Sequence, residues 1–224
     1  PSPVSSPLSA MLSRRRFLES TFVAAIAASL GAAEGKRAPR VVLRSSWQTV
    51  NIGDIAHTPG MLALLEKYFP EAVITLWPSN VDNGVKEMLA ARFPKLQFVS
   101  PKTDVAKLYA ENDFLLHGSG PSLVGEKQVA MWRQQGPKPY GVLGITQGSP
   151  TPETAKILSG AQFVYFRDSV SLATAKAAGV KCPVMEFGPD GAFATDLRNE
   201  EKAEAFLHGW GLERGKFLCC IPRY

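Results

Sequence analysis

Short apolar runs alternate with longer amphipathic segments from residue 41 onward. The runs are mostly four to six residues long and rich in β-branched or aromatic side chains, which is typical of buried strands in a parallel sheet. Seven of them are predicted to be strands: Val41–Leu43, Ala72–Trp77, Leu96–Val99, Phe114–His117, Tyr140–Ile145, Phe163–Phe166 and Val184–Phe187. Segments of helical length lie between them. The pattern therefore predicts an α/β fold, a mostly parallel layered sheet with helices on both faces.

Two Thr-Pro pairs give signals for the start of a helix. Thr58-Pro59 precedes the apolar pattern of residues 61–69, and Thr151-Pro152 precedes another amphipathic segment. Threonine is a good capping residue, and proline is favoured at the first helical position. Helices are therefore predicted to begin at these pairs, and an alanine-rich helix is predicted over Ser171–Ala178.

The end of the sequence predicts a second structural unit. Glu200–His208 has the pattern of a linking helix, and Lys216–Ile221 has that of a strand. We interpret residues 34–199 as one complete α/β domain, and residues 200–224 as a linking helix followed by the first strand of a truncated second domain. The alternative is that this strand completes the first sheet at its edge.

Residues 11–33 have the layout of an export signal. A basic cluster follows Met11, and an apolar run from Thr21 to Ala33 ends in small residues. About a dozen apolar residues are too few for the ~20 that span a bilayer, so no stable membrane span is predicted. Residues 1–10 are rich in proline and serine and are predicted to be disordered sequence upstream of the real start.

The segment Ser13–Leu18 reads S-R-R-R-F-L and resembles the twin-arginine signal, whose pattern is S-R-R-x-F-L. The resemblance implies that the export machinery of the twin-arginine pathway is a partner and that the protein is periplasmic. The alternative is an ordinary secretory signal with a chance arginine pair.

Composition and charge narrow the function classes. A chain of 224 residues with 45% hydrophobic and 20% charged residues is not a collagen, a coiled coil or a multi-span membrane protein. Of the formal net charge of +5, the leader carries +2, and the remaining +3 is too small to predict a nucleic-acid partner. The three cysteines cannot form a disulfide framework, and the spacing of His, Cys, Asp and Glu predicts no metal site.

The first candidate site segment follows the first predicted strand. Ligands of open α/β sheets bind beyond the carboxyl ends of the strands. Asn51 and Asp54 offer an amide and a carboxylate there, Gly53 allows close approach of the backbone, and His57 can donate a proton or bind phosphate. The alternative for this segment is an Asx-turn with a helix cap.

The second candidate segment, His117-Gly118-Ser119-Gly120, follows the fourth predicted strand. Two glycines before a helix can direct backbone N–H groups at an anion. His117 lies on the same predicted rim and can donate a proton or bind phosphate.

The third and fourth segments supply charged groups. Arg167 leaves the sixth strand, where an arginine can hold a carboxylate or phosphate by two parallel hydrogen bonds. Asp168 follows it and is either a binding residue or the cap of the next helix. Asp190 places a carboxylate in the turn Pro189–Phe193, for which the alternative is a proline-glycine turn with no binding role.

In this order, the four segments resemble the polysaccharide pyruvyl transferase family over roughly residues 41–224. The family pattern opens with N-x-G-D after a strand, here at residues 51–54. A glycine-rich turn follows an aspartate-bearing apolar strand at 113–120, then R-D-x-x-S at 167–171 and P-D-x-x-F at 189–193.

The resemblance implies the Rossmann-like N-terminal half of a two-domain, GT-B-type transferase. The implied activity is transfer of a pyruvyl group from phosphoenolpyruvate to two hydroxyls of a sugar, which forms a cyclic ketal and releases phosphate. Phosphoenolpyruvate is then a co-substrate, a glycan or polysaccharide is the acceptor, and neither a cofactor nor a metal is expected. The implied catalytic residues are Asp54 and His57. The implied substrate-binding residues are Asn51, Gly53, His117, Gly118, Ser119, Gly120, Arg167, Asp168 and Asp190.

Further catalytic residues of the family belong to the second domain, so residues 34–224 are expected to have no turnover alone. Two other functions stay open. One is a sugar-nucleotide glycosyltransferase with the same two-domain plan. The other is an exported glycan-binding module without catalysis, since phosphoenolpyruvate is a cytoplasmic metabolite.

Overall fold

A computed structural model describes residues 37–100 and 102–220 of the chain. Seven parallel strands form one sheet in the order β3-β2-β1-β4-β5-β6-β7. All seven predicted strands are confirmed, with bounds that shift by two residues at most. The strands are β1 (Arg40–Ser45), β2 (Val73–Pro78), β3 (Gln97–Phe98), β4 (Phe114–His117), β5 (Tyr140–Ile145), β6 (Phe163–Phe166) and β7 (Val184–Phe187).

Helices cover both faces of the sheet, which confirms the predicted fold class. Helices α1 and α2 pack their apolar side chains on one face, and α3 to α6 pack on the other. Successive side chains of a strand alternate between these two cores. The helices are α1 (Ile52–Tyr68), α2 (Val85–Arg92), α3 (Val105–Glu111), α4 (Glu126–Gln135), α5 (Pro152–Ser159), α6 (Ser169–Ala177) and α7 (Glu200–Gly209), with a 3₁₀ helix at Gly191–Ala194.

The strand order reverses between β1 and β4. The chain moves outward from β1 to β3 with α1 and α2 on one face, then crosses and continues from β4 to β7 with its helices on the other face. Such a reversal opens a crevice at the carboxyl ends of the two central strands. Arg44 of β1 lies in register with His117 of β4 at this point.

Helix α1 begins earlier than its sequence pattern predicts. The side chain of Asn51 accepts a hydrogen bond from the Gly53 N–H at 2.9 Å, so the Asx-turn and cap expected as the alternative are present. Thr58 and Pro59 are buried inside the helix, where the Thr58 hydroxyl lies 2.9 Å from that of Ser45. The predicted start at Thr58 is wrong because the Asn51 cap had already begun the helix. The predicted start at Thr151 is confirmed.

The last described residues differ from their prediction. The helix over Glu200–His208 is confirmed as α7, but the predicted strand Lys216–Ile221 is not formed over the described residues 216–220. These residues are exposed and the sheet ends at β7, so the alternative of an added edge strand is also wrong for them. A strand needs a neighbouring strand for its backbone hydrogen bonds, which the apolar pattern alone cannot supply. Assignment of residues 200–224 to a second domain stays a prediction.

The predicted upstream segment 1–10 and export signal 11–33 lie outside the described residues. Among the helices of residues 37–100 and 102–220, none combines the length and the apolar character needed to cross a bilayer.

Candidate functional site

Six of the predicted site residues line one cleft of about 330 Å³, which we call the His57 cleft. They come from the start of α1, the end of β6 and the turn before the 3₁₀ helix, all beyond the carboxyl ends of the strands. The lining residues are Asn51, Gly53, Asp54, His57, Arg167 and Asp190, together with Ala192 and Phe193.

His57 and Asp190 form a hydrogen-bonded pair in this cleft. His57 Nδ1 lies 2.7 Å from Asp190 Oδ1, and the two side chains are only 6% and 12% exposed. The Ala192 N–H also donates to Asp190 Oδ1, at 2.9 Å. If Nδ1 carries the proton given to Asp190, Nε2 is the nitrogen that can exchange a proton with a ligand. Nε2 lies 3.9 Å from Asp54 Oδ1, on the cleft wall.

Arg167 is held on two sides and has one nitrogen left for a ligand. Its Nη1 donates to Asp190 Oδ2 at 2.6 Å, and its Nε donates to the Thr146 hydroxyl at 2.7 Å. Its Nη2 makes no hydrogen bond within residues 37–100 and 102–220, and the side chain is 28% exposed. A fixed guanidinium of this kind suits a carboxylate or a phosphate group.

Asp190 is ionised at neutral pH. Burial disfavours its charged form, but hydrogen bonds from His57, the Ala192 N–H and Arg167 outweigh burial and hold its pKa well below the usual range. One carboxylate therefore bonds to both the imidazole and the guanidinium of the cleft.

Asp54 provides a second carboxylate on the cleft wall. Gln48 Nε2 donates to Asp54 Oδ2 at 2.6 Å, so the other oxygen, Oδ1, lies on the side of His57. Asp54 is in the first turn of α1, where the positive end of the helix dipole favours a negative charge. This oxygen can accept a hydrogen bond from a ligand hydroxyl.

The structure does not bring His117 into the His57 cleft. The side chain is fully buried, its Nε2 accepts the Gly125 N–H at 3.0 Å, and its ring stacks on Trp47 with centroids 4.9 Å apart. Burial, and to a lesser extent the charge of Arg44, lower the pKa of His117 to about 3. The ring is therefore neutral at pH 7, which removes the predicted direct proton donation.

The two glycine amides of the second segment also differ from their prediction. The Gly118 N–H donates to the Arg44 carbonyl at 2.9 Å, and the Gly120 N–H donates to the Gly144 carbonyl at 3.3 Å. Both N–H groups are thus already paired within the edge of the sheet rather than directed at an anion.

The hydroxyl of Ser119 contacts the imidazole of His57. Its Oγ lies 3.0 Å from His57 Nδ1, the same nitrogen that contacts Asp190. In a Ser-His-Asp triad the serine and the aspartate lie on opposite ring nitrogens, so this arrangement is not that of an activated serine nucleophile.

Asp168 is the cap of α6, as the alternative prediction had it. It accepts hydrogen bonds from the N–H and the hydroxyl of Ser171, both at 2.7 Å. The bond from the Ser171 N–H is the main reason that the pKa of Asp168 is lowered. Asp168 is not among the residues that line the His57 cleft.

Sequence reasoning missed two residues that position the site, Thr146 and Gln48. Thr146 directly follows β5, whose carboxyl end lies at the same edge as those of β1 and β6, and this position was the available signal. Gln48 has no signal beyond its place in the loop after β1.

Comparison with family models matches residues 51–213 to the polysaccharide pyruvyl transferase family. The matched region covers more than half of the chain and includes every candidate site residue from Asn51 to Asp190. A comparison with curated proteins finds no match. In the described part of the chain, no group of three or more His, Cys, Asp or Glu side chains could hold a metal ion.

Proposed function

Since the chain belongs to the polysaccharide pyruvyl transferase family, we propose that it transfers a pyruvyl group from phosphoenolpyruvate to two hydroxyls of a sugar. The observation that carries this proposal is the continuous contact of His57, Asp190 and Arg167 in one cleft. The arrangement sets a cation for an acidic donor beside an acid–base group for the proton transfers that the reaction needs.

Arg167 is proposed to bind the donor. Phosphoenolpyruvate carries a carboxylate and a phosphate, and Arg167 Nη2 is available in the described structure for either group. Because Thr146 and Asp190 fix the other two guanidinium nitrogens, binding a ligand costs little further side-chain freedom. Asn51 and Gly53, which line the same cleft, are proposed to complete the donor site.

His57 is proposed to carry the protons. Protonation of the donor's methylene carbon makes it a methyl group and leaves the neighbouring carbon electron-poor. One sugar hydroxyl oxygen bonds to that carbon, and the second displaces the phosphate. Each of the two hydroxyls loses its proton. One of these protons restores the proton that the acid gave to the methylene carbon, and the other leaves with the phosphate. His57 Nε2 donates and accepts these protons, while ionised Asp190 stabilises the imidazolium. Asp54 orients the attacking hydroxyl.

Binding of phosphoenolpyruvate by Arg167→Gln tests the proposal. We expect the affinity to fall about tenfold or more, since a charge-assisted hydrogen bond is lost. Arg198→Gln makes the same change of charge at an exposed arginine outside the cleft and should leave affinity unchanged. Equal affinities of the two variants would contradict donor binding by Arg167. Stronger binding of a nucleotide sugar, or of a glycan without phosphoenolpyruvate, would favour the glycosyltransferase or the binding module.

Turnover is proposed to need a second domain, as the family resemblance implies. We expect residues 34–224 to bind phosphoenolpyruvate without forming ketal, because a two-walled cleft takes residues from both domains. Ketal formation by these purified residues alone would contradict this expectation.

We also propose that the leader exports the protein to the periplasm through the twin-arginine pathway. Arg14→Lys with Arg15→Lys should retain the protein in the cytoplasm. Arg16→Lys changes the variable position of the motif and should leave export intact. Cell fractionation measures both, and export of the double variant at the normal level would favour an ordinary secretory signal.

A further inference from the structure

Arg44, at the carboxyl end of β1, is a buried charge with neutral partners. The residue is 4% exposed, its Nη1 donates to the Trp77 carbonyl at 3.0 Å and to the Ser45 carbonyl at 3.3 Å, and its Nη2 donates to the Ser79 hydroxyl at 2.6 Å. Within residues 37–100 and 102–220, its Nε has no hydrogen-bond partner and no carboxylate lies within 4.0 Å of the guanidinium.

This guanidinium stays charged at neutral pH. Burial lowers the pKa of Arg44 to about 10, which is still well above 7. The guanidinium carbon lies 5.0 Å from the ring centroid of Trp47 and 5.8 Å from that of Trp77. Two cation–π contacts offset only part of the cost of burying an unpaired ion. A buried cation that has no counter-ion within the protein therefore indicates a site where a bound ligand supplies the negative charge.

Arg44 lines a second opening of about 710 Å³, which we call the Arg44 cavity. It shares no lining residue with the His57 cleft, and its helices α4 and α5 pack on the opposite face of the sheet from α1. The cavity is reached at the carboxyl end of β1, where Arg44 lies. Its lining residues are Arg44, Ser79, Ser122, Leu123, Val124, Glu126, Lys127, Gln128, Ala130, Glu153 and Ile157.

The positive end of α4 lines the same cavity. Gly125 caps this helix without a side-chain hydrogen bond, so no capping side chain satisfies the N–H groups of Lys127 and Gln128. Gly125 packs directly on the arginine, since a Cβ added there would lie 2.9 Å from Arg44 Cγ. The exposed Lys127 adds a second cation.

Two carboxylates on the walls make the cavity more selective than a simple anion site. Both oxygens of Glu126 lie 3.2 Å from the Thr154 hydroxyl, and Glu153 is exposed in the first turn of α5. The two carboxylates would repel a ligand that carries several negative charges. They suit a ligand whose single anionic group is accompanied by hydroxyls that donate to carboxylates.

We propose that the Arg44 cavity is a second binding site, which takes a sugar carrying one phosphate or carboxylate group. Arg44 and the first turn of α4 hold the anionic group, and Glu126 and Glu153 accept hydrogen bonds from the sugar hydroxyls. The proposal uses no residue of the His57 cleft, so it stands or fails independently of pyruvyl transfer.

Calorimetric titration of the full chain with glucose 1-phosphate, glucuronate and glucose tests this site. Comparison of glucose 1-phosphate with glucuronate distinguishes a phosphate ligand from a carboxylate ligand. We expect at least one charged sugar to bind about tenfold or more tightly than glucose, and Arg44→Gln to remove that difference. Arg198→Gln should bind like the wild type. Phosphoenolpyruvate should bind Arg44→Gln normally, which separates this site from the one tested by Arg167→Gln.

Because Arg44 is buried, its substitution can also weaken the fold. Lys127→Gln provides a second variant on an exposed side chain, and it should weaken binding of the charged sugar several-fold with an unchanged unfolding curve. The proposal is overturned if no charged sugar binds the wild type at millimolar concentration, or if Lys127→Gln and Arg44→Gln both bind normally. Binding of inorganic phosphate as tight as that of glucose 1-phosphate would overturn the assignment to a sugar.

Discussion

His57 Nδ1 lies 2.7 Å from Asp190 Oδ1, although 133 positions of sequence separate the two residues. Helix α1 carries the histidine, and the 3₁₀ helix packed against α1 is capped by the aspartate. The second oxygen of the same carboxylate lies 2.6 Å from Arg167 Nη1. Asp190 therefore orients both the proposed acid–base group and the proposed donor-binding cation.

Asp190→Asn should lower ketal formation about 10²-fold or more in a protein that includes the proposed second domain. The amide can no longer stabilise a protonated His57, and it leaves Arg167 without its carboxylate. The rate is measured at saturating phosphoenolpyruvate. Asp196→Asn is the matched control, since Asp196 pairs with the distant Arg92 at the surface, and its rate should stay near that of the wild type. Similar rates for the two variants would contradict the role of Asp190.

The contribution of Asp190 to stability should depend on pH. Its pKa is lower in the folded chain than the ordinary value of about 3.9, so its carboxylate stabilises the native state above that value. This contribution is lost as the pH falls below about 4 towards the folded pKa. Urea unfolding should therefore show a difference between wild type and Asp190→Asn that is large at pH 7 and smaller at pH 3. Glu71→Gln, at an exposed carboxylate, should show no such trend.

In a protein that includes the proposed second domain, Ser119→Ala should have a small effect on ketal formation. The Ser119 hydroxyl contacts the same nitrogen of His57 as Asp190 does, so its loss removes one support and leaves the stronger one. We expect a decrease of less than about tenfold, against about 10²-fold or more for His57→Gln. A Ser119→Ala variant as inactive as His57→Gln would instead make the serine part of the chemistry.

The strands and six of the residues that line the His57 cleft could be predicted from the sequence, whereas His117, Gly118, Ser119, Gly120 and Asp168 were predicted to belong to the site and do not line this cleft. Apolar β-branched runs mark buried parallel strands, and the carboxyl ends of such strands meet at one edge, so Asn51 and Arg167 were expected together. The contact between His57 and Asp190 could not be predicted, because it depends on how the 3₁₀ helix packs on α1. The start of α1 was also predicted at the wrong residue. Thr58-Pro59 has the residues that are favoured at the start of a helix, but the side chain of Asn51 caps the helix seven residues earlier.

The position of Arg44 in β1 is a signal that the sequence itself contains. Arg44 is the one charged residue inside the buried part of β1, where a solvated charge is not expected. Whether such an arginine pairs with a carboxylate of its own chain depends on the packing around it, and the structure surrounds it with tryptophans, carbonyls and a hydroxyl instead.

Gly60→Ala should destabilise the protein and lower its activity together. An alanine usually stabilises the interior of a helix by about 1 kcal/mol relative to glycine. At position 60, however, the added Cβ would lie 1.9 Å from the Gly191 carbonyl oxygen, a backbone atom next to Asp190. The clash must move the 3₁₀ helix away from α1, so we expect a loss of about 1–3 kcal/mol in the free energy of unfolding and a weaker contact between His57 and Asp190.

Urea unfolding measures the loss of stability of Gly60→Ala, and ketal formation by a protein that includes the proposed second domain measures the loss of activity. Gly148→Ala is the matched control, because no atom beyond its own residue and its two chain neighbours lies within 4 Å of the position that its Cβ would take, and its free energy of unfolding should change by less than about 0.5 kcal/mol. If Gly60→Ala were as stable as the wild type and retained full activity, the close packing of α1 on the 3₁₀ helix would not be what holds Asp190 against His57.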